Sequence, residues 1–472
     1  MSIRQRFCAC LVAICLSGVF VFSQPAQAQI KPPVLKITQT KLKNNLTIVL
    51  HEDHTAPIVN VQVWYHVGAK DEKPGQSGFA HLFEHIMFKG TKHIAQEEYP
   101  RLIEETGGIQ NAGTLQDYTF YWQTVPANYL ERVLWMESER MKSLTVNEEN
   151  FASERKVVLE EKKLRFDNTP LGKIYALLLS NVFKTYPYAH LPIGSEQDLN
   201  AATVADVKAF HDRYYVPDNA TMIIVGDFKT AEVVKQIGKY FDEIPASATP
   251  VPRIKLDEPE WNGERRAIEY DARLPFGGVT IAYPTVGANH PDRHALELLS
   301  NILARGETSR LYRSLVYDKQ LAIFAAGRNE PLELAGIFSF QAAMTVGKPA
   351  EDGEAALLAE IEKVKTEPVT EQELNRSKAQ LISSLVRQRQ TVQGKADNIG
   401  YATVIMGDYQ LVNSELQKYQ AVTVKDIQRV AQTYFNPQKR LVIYFLPESM
   451  RPKQSSAQPT STPTTETQKG AN

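Results

Sequence analysis

Cysteine is almost absent from this sequence, and its few occurrences are confined to one end. Cys8, Cys10 and Cys15 are the three cysteines among 472 residues. All of them precede Ala26-Gln27-Ala28, a small-residue motif typical of the site at which a secretory signal peptide is removed. A chain cleaved there has neither a disulfide nor a thiolate ligand, so any metal it binds must be held by histidine and carboxylate.

The N-terminal segment has the other features of a signal peptide. Arg4 and Arg6 precede an apolar run over residues 7–22, which is short for a membrane span. We therefore predict a signal peptide over residues 1–28 and a periplasmic or secreted protein, with a retained membrane anchor as the alternative. No later stretch is long and apolar enough to cross a bilayer, which predicts no stable membrane span after cleavage.

An excess of charge of either sign is also missing. The chain has 53 Lys and Arg against 54 Asp and Glu, a net charge of −1, which argues against nucleic acid or an anionic membrane as partner. Its 43% hydrophobic and 23% charged residues suit a soluble globular protein of two or more domains. Residues 453–472 are nearly devoid of apolar side chains and are predicted to form a disordered tail.

The second half of the sequence repeats the first. Residues 203–207 (TVADV) return at 423–427 (TVKDI), and residues 214–217 (YYVP) return at 434–437 (YFNP), both offset by 220 residues. One register kept over a helix, a turn and a strand indicates an internal duplication. We predict an α+β fold of two homologous domains, each an antiparallel sheet packed with helices, at 32–244 and 262–450, joined by a Pro-rich linker at 245–261.

The sequence GFAHLFEHIMFKG at residues 78–90 has the apolar spacing of a helix between two glycines. His81 and His85 are one turn apart on it and project from one face, with Glu84 beside them. Two imidazoles at this spacing supply half of a tetrahedral zinc site, and a nearby carboxylate can accept a proton from water. Three polar residues on an ordinary amphipathic helix would look the same, so a zinc site requires a third ligand elsewhere.

Several neighbouring segments are also interpretable. Residues 46–51 and 59–66 alternate as paired strands would, and residues 111–125 predict one long strand in which Phe120 and Trp122 share a face. A helix is predicted over residues 148–165, with Asn147 as its N-cap. A carboxylate of this helix reaches the histidine pair if the two helices pack together, although an isolated glutamate there is more often a solvated surface residue.

These motifs together resemble those of the insulinase/pitrilysin family of zinc peptidases with an inverted HxxEH motif. The likeness covers about residues 35–447 and is closest to bacterial members similar to subunits of mitochondrial processing peptidase. It rests on HLFEH at 81–85, FKGT at 88–91 and ERKVVLEE at 154–161. The resemblance implies one Zn²⁺ per chain with His81, His85 and Glu161 as ligands, Glu84 as the catalytic base, and Glu154 as an acidic residue behind the site.

The resemblance also implies a binding mode for peptide substrates. In this family an edge strand following the metal helix carries an extended peptide, which corresponds here to a strand that includes Asn111, Ala112, Gly113 and Thr114. Such pairing binds the peptide backbone rather than its sequence. Phe120 and Trp122 are expected to be core residues however the strand is used.

The second domain departs from the family pattern in two respects. Aligning Gly306 with Gly90 places Glu297, Ser300 and Asn301 opposite the metal motif, so the second domain lacks zinc ligands. Active members carry an Arg and a Tyr, seven residues apart, after a Ser-Arg-Leu stretch, here residues 309–311. Val316 and Ile323 occupy these two positions, and neither side chain can donate a hydrogen bond to an oxyanion.

The favoured interpretation is therefore a zinc metalloendopeptidase that cleaves peptides or unfolded polypeptides within a chamber formed with a second subunit. The resemblance implies a heterodimer with a homologue that carries the Arg-Tyr pair, with a homodimer as the alternative. Because Val316 and Ile323 remove two donors, a non-catalytic structural or peptide-binding member of the family is the competing hypothesis.

Overall fold

The structure is a computed structural model that describes residues 33–169 and 172–452. The predicted signal peptide at 1–28 and the predicted tail at 453–472 lie outside the described residues. From Val34 onward the described chain forms one compact unit. No helix within the described ranges is both long and apolar enough to span a membrane.

A six-stranded sheet organises the first half of the described chain. Its strands are β1 (Thr38–Lys41), β2 (Thr47–Glu52), β3 (Ile58–Tyr65), β4 (Ile109–Thr114), β5 (Thr119–Pro126) and β6 (Ala220–Gly226). They lie in the order β1-β2-β6-β3-β5-β4, and all neighbours are antiparallel except β2 and β6. The helices of this half are α1 (Phe79–Ile86), α2 (Glu98–Glu104), α3 (Leu130–Ser143), α4 (Glu148–Lys162), α5 (Gly172–Val182), α6 (Glu196–Ala201), α7 (Val204–Tyr214) and α8 (Thr230–Phe241).

A five-stranded sheet organises the second half. Its strands are β7 (Arg265–Asp271), β8 (Gly278–Thr285), β9 (Ala322–Pro331), β10 (Gly336–Met344) and β11 (Leu441–Pro447), in the order β7-β11-β8-β10-β9. Its helices are α9 (Arg293–Ala304), α10 (Arg310–Tyr312), α11 (Ala350–Thr366), α12 (Glu371–Gln388), α13 (Val392–Val404), α14 (Leu411–Ala421) and α15 (Val424–Tyr434). The predicted α+β fold of two related halves is confirmed.

The repeated sequence motif has a local structural cause. Thr203 and Thr423 each cap a helix, α7 and α15 respectively, by accepting a hydrogen bond from the backbone N–H three residues later. The residues that donate those N–H groups are Asp206 and Asp426. Their carboxylates in turn accept a hydrogen bond from the backbone N–H of Thr203 and Thr423. Both threonines therefore form capping boxes, which fix where each helix begins.

Each half contributes one helix that packs against the sheet of the other half. Helix α5 of the first half packs against β8 and β11 of the second sheet, and α13 of the second half packs against β3 and β6 of the first. The two helices occupy equivalent positions in the repeat, since Gly172 and Val392 begin them at the same 220-residue offset. The predicted linker, residues 245–261, contains no helix or strand. The predicted domain boundaries stay predictions.

Two local expectations from the sequence are wrong. The strands predicted at 46–51 and 59–66 are not paired with each other, because β6, from much later in the chain, lies between β2 and β3. The single strand predicted at 111–125 is a hairpin of β4 and β5, with a turn at residues 115–118. Leu115-Gln116-Asp117-Tyr118 contains neither glycine nor proline, so the strongest sequence signals for a turn are missing there.

The same hairpin corrects the assignment of its aromatic residues. The buried side chains of β5 are Thr119, Tyr121, Gln123 and Val125, whereas Phe120 and Trp122 are only half-buried. Phe120 lies on the sheet face that α13 covers, where its ring is 4.9 Å from that of Trp64. Phe120 and Trp122 therefore lie outside the core that the first sheet forms with the helices of the first half.

Candidate metal site

Helix α1 presents both histidines of the HxxEH motif on one face. Phe79, Leu82, Phe83 and Ile86 are fully buried in the core of the first half, which fixes the rotation of the helix. The remaining face carries His81 and His85, whose ring centroids are 4.9 Å apart. The sequence prediction of a helix between Gly78 and Gly90 holds, although the helix ends at Ile86.

The third donor comes from α4, which packs directly against α1. Asn147 caps α4 by accepting the Asn150 N–H, as predicted, and the helix brings Glu161 to the histidine pair. Its Oε2 lies 3.7 Å from the Nε2 of His81 and 3.3 Å from the Nε2 of His85. Among the residues that the structure describes, these three form the one cluster whose donor atoms converge closely enough to hold a metal ion.

This cluster fits zinc in geometry and in chemistry. Two ligands bonded to a tetrahedral zinc ion at about 2.0–2.2 Å stand about 3.3–3.6 Å apart, close to the separations found here. Two imidazole nitrogens and one carboxylate are a usual ligand set for catalytic zinc, with a fourth position left for water. His81 is buried and the other two side chains are half-buried, so the site is only partly open to solvent.

The electrostatics of the cluster favour a positive charge between these groups. Burial, together with the neighbouring His85, lowers the pKa of His81 to about 4, which leaves a neutral imidazole able to bind a cation. Burial opposes a charge on His85 as well, but hydrogen bonds to Glu154 and Glu161 outweigh it and raise the pKa of His85 to about 9. The two carboxylates thus create a negative environment that a proton or a metal cation can neutralise.

Glu154, which the family resemblance implied as an acidic residue behind the site, lies beside His85. Its Oε2 is 3.4 Å from the Nδ1 of His85, on the ring edge opposite the Nε2 that faces Glu161. Its Oε1 is 2.9 Å from the ammonium of Lys89, and the side chain is 5% exposed. A carboxylate in this position fixes the orientation and tautomer of a ligand histidine. The sequence did not indicate the pairing with Lys89.

Glu84 projects beside the cluster toward β4. The hydroxyl of Thr114, the last residue of that strand, donates a hydrogen bond of 2.7 Å to its Oε2. Burial raises the pKa of Glu84 above its usual value, although the Thr114 hydrogen bond opposes the shift. A carboxyl with a raised pKa is suited to accept and return a proton near neutral pH.

The strand that ends at Thr114, β4, is one of the two edge strands of the first sheet. β4 pairs on one side with β5, through Asn111 opposite Trp122, Ala112 opposite Tyr121 and Gly113 opposite Phe120. Its other side has no strand neighbour within the described chain. The predicted peptide-binding residues therefore lie along an edge that leads to Glu84, and their role in binding stays a prediction.

The second half contains the corresponding helices without the ligands. Helix α9 matches α1 and carries Glu297, Ser300 and Asn301, as predicted, and Leu381, which lies 220 residues after Glu161, is on α12. Val316 is partly buried against the second core, and Ile323 is 50% exposed on β9. Neither residue brings a polar group to the site.

Two further features of the site escaped the sequence analysis. Arg165, one turn after Glu161, places its guanidinium 2.7 Å from the Oε1 of that ligand. A cavity of about 360 Å³ adjoins His81 and Glu161, and its wall includes Tyr401 and Leu332 from the second half. Arg165 could not be singled out because an arginine on a charged helix is common. The cavity could not be predicted because it depends on contacts between the two halves, which are known only from the fold.

Sequence comparison places both halves in one family. A model described as insulinase (peptidase family M16) matches residues 47–189, and one described as peptidase M16 inactive domain matches residues 201–381. The zinc protease PqqE of Helicobacter pylori is 31% identical over 92% of this chain and 98% of its own. The uncharacterized zinc protease YmxG of Bacillus subtilis is 22% identical over 85% of this chain and 96% of its own.

Solved structures agree with this placement. A protease from Helicobacter pylori superposes with a TM-score of 0.84 at 30% identity, over 88% of this chain and all of that one. The periplasmic protease PqqL from Escherichia coli superposes with a TM-score of 0.70 at 20% identity, over 87% of this chain and 47% of that one, which shows a shared fold. The chain described here therefore belongs to the insulinase family of peptidases, peptidase family M16.

Proposed function

We propose that this protein is a zinc-dependent endopeptidase that cleaves peptides or unfolded polypeptides. The observation that carries the proposal is the convergence of His81, His85 and Glu161 beside Glu84, next to a free sheet edge. Intact ligands together with an intact base favour catalysis over metal storage, because a storage site has no use for a base. The relatives named zinc proteases support the same assignment.

The chain supplies the binding and proton-transfer groups that the reaction needs. A zinc ion held by His81, His85 and Glu161 would polarise the scissile carbonyl and lower the pKa of water at the site. An extended peptide hydrogen-bonded to β4 passes Thr114 and therefore Glu84. Thr114 binds the Oε2 of Glu84, which leaves Oε1 to accept a proton from the attacking water and return it to the leaving amine.

The variant Glu84→Gln tests this role directly. An amide keeps the shape of the side chain but cannot accept the proton, so we expect kcat to fall by about 100-fold or more while zinc content is unchanged. The exposed Glu104 on α2 provides the control, since Glu104→Gln alters the same charge away from the site. Retained cleavage in the Glu84 variant would show that the base is wrongly assigned.

We further propose that a second, homologous subunit completes the site and closes the chamber. The basis is that Val316 and Ile323 cannot stabilise an oxyanion, so the donors must come from elsewhere. PqqL offers an analogy. The part of PqqL that superposes on this chain is only 47% of the PqqL chain, so the remainder is long enough for a second unit of this size. Co-purification from the native host, followed by assay with and without the partner, tests the proposal; equal kcat/KM for the chain alone, as a homodimer, would contradict it.

A non-catalytic, peptide-binding role is the second candidate, and the apolar residues at 316 and 323 favour it. In that case the chain would bind peptides along β4 but cleave none, with or without a partner. The periplasmic or secreted location remains a proposal based on residues 1–28. N-terminal sequencing of protein recovered from each cell fraction tests both the location and the cleavage after Ala28.

A further inference from the structure

The N-terminus of the metal helix is capped from outside the helix. Gly78 precedes α1 with φ of 92° and has no side chain to accept the first backbone N–H groups, which lack partners within the helix. The Glu72 carboxylate accepts them instead. Its Oε2 is 2.9 Å from the amide nitrogen of Gly78, and its Oε1 is 2.9 Å from that of Ala80. A negative charge also suits the positive end of the helix dipole.

The Glu72 carboxylate has one further partner, His190. The Glu72 side chain is fully buried, and its Oε2 lies 2.9 Å from the Nε2 of His190. The Nδ1 of the same ring is 3.0 Å from the carbonyl oxygen of Tyr186, whose ring stacks on the imidazole at 4.4 Å. A buried carboxylate is costly unless every lone pair that points inward is satisfied, and His190 completes that set.

His190 also connects the helix to the substrate side of the site. Its carbonyl oxygen accepts a hydrogen bond of 2.9 Å from the side chain of Gln116, in the turn that follows β4. Two residues earlier, Thr114 holds Glu84. The residues after His190, from Leu191 to Ile193, form part of the cavity wall beside His81. Glu72 and His190 therefore link α1, the cavity wall and the end of β4, through the side-chain pair and the backbone of His190.

We propose that Glu72 and His190 are positioning residues, which fix the start of α1 so that its two histidines and Glu84 keep their orientation toward Glu161 and β4. The inference rests on the proposed zinc site and names what holds it in place. His81 is the residue directly after Ala80, whose N–H Glu72 binds, so a shift of the helix start moves the first ligand. Neither Glu72 nor His190 touches the metal cluster, and their effect is transmitted through the helix.

The test compares zinc affinity among variants of the full chain. Glu72→Gln leaves one acceptor oxygen for two amides, and His190→Ala removes the donor to Glu72; each is expected to weaken zinc binding by about 10–100-fold, the range seen when supporting groups around a metal are lost. His190→Gln keeps a donor and should recover most of the affinity. Competition against a chelating dye gives the affinity, and the visible spectrum of the cobalt-loaded protein reports ligand geometry.

A buried carboxylate in the second half provides the matched control. Glu354 on α11 binds Arg266 and Tyr444, far from the ligand set in sequence, so Glu354→Gln should destabilise the protein while leaving zinc affinity and the cobalt spectrum unchanged. Circular dichroism identifies the variants that fold. If Glu72→Gln does not fold, His190→Ala is used to measure the effect on zinc affinity.

The possible results separate this inference from the zinc site itself. Zinc affinity within twofold of wild type in the folded Glu72 or His190 variants would overturn the positioning role alone. An equal loss in Glu354→Gln would overturn it too, because the effect would then be general destabilisation. A wild-type chain that binds no zinc would overturn the proposed function together with it.

Discussion

The exchange of helices between the halves predicts a strong dependence of stability on one ion pair. Lys395 on α13 of the second half binds Asp53, which follows β2 of the first half. The two side chains are 13% and 7% exposed. Asp53 also accepts hydrogen bonds from the N–H and the hydroxyl of Thr55. Burial alone would raise the pKa of Asp53, but Lys395 and Thr55 outweigh it and lower the pKa to about 2.

The size of the effect follows from that pKa. A value of about 2 in the folded protein, against 3.8 for the unpaired group, corresponds to about 2 kcal/mol of free energy of unfolding. Because the folded pKa is the lower one, this contribution is complete above about pH 5 and is lost as the pH falls from 3.8 toward 2. At pH 3 about half of it remains.

Lys395→Met removes the cation and leaves the Asp53 carboxylate buried. We expect the free energy of unfolding, measured by urea denaturation, to fall by about 1–2 kcal/mol at pH 7, because Thr55 still stabilises the carboxylate, and by about half as much near pH 3. The double variant Asp53→Asn with Lys395→Met should recover part of the loss, since no unpaired charge remains. A loss below about 0.5 kcal/mol at pH 7, the size of an ordinary surface change, would refute the reasoning. So would a difference that does not change with pH.

Three further predictions concern the metal site and the interface between the halves. Glu154→Gln should weaken zinc binding by about 10–100-fold in dye competition, because a ligand histidine loses its charged partner. Gly400→Ala should lower the free energy of unfolding by about 1–3 kcal/mol, since its Cβ would lie 2.4 Å from the Trp64 ring; Gly238→Ala, which meets only an ordinary contact at 3.4 Å, should not. If the chain is divided near residue 250, each half should be insoluble alone, and the two should assemble when co-expressed, because each sheet is covered by a helix of the other half.

The sequence was most informative where the chemistry is local. His81, Glu84 and His85 share one helix, and the spacing alone predicts that they share a face. Glu161 is different, because no local pattern distinguishes it from Glu160 as a ligand. The resemblance to a family selected it, and the packing of α4 on α1 then brought it to the histidines.

What the sequence could not indicate depends on contacts between distant segments. Residues 115–118 contain no glycine or proline to mark the turn between β4 and β5, and the position of β4 at the edge depends on the strand order of the whole sheet. The sequence of α13 has only a weak amphipathic pattern, and nothing in it indicates that the helix covers the sheet of the other half. The cap on α1 joins Glu72 to a histidine 118 residues later, and neither residue belongs to a motif that would connect them.

We propose that His81, His85 and Glu161 hold one zinc ion in each chain. Anomalous diffraction at the zinc absorption edge, from crystals of protein purified with zinc, tests it most directly. We expect a single strong peak bonded to the Nε2 atoms of both histidines and to a Glu161 carboxylate oxygen. A peak held by other residues, or none at this position, would contradict it.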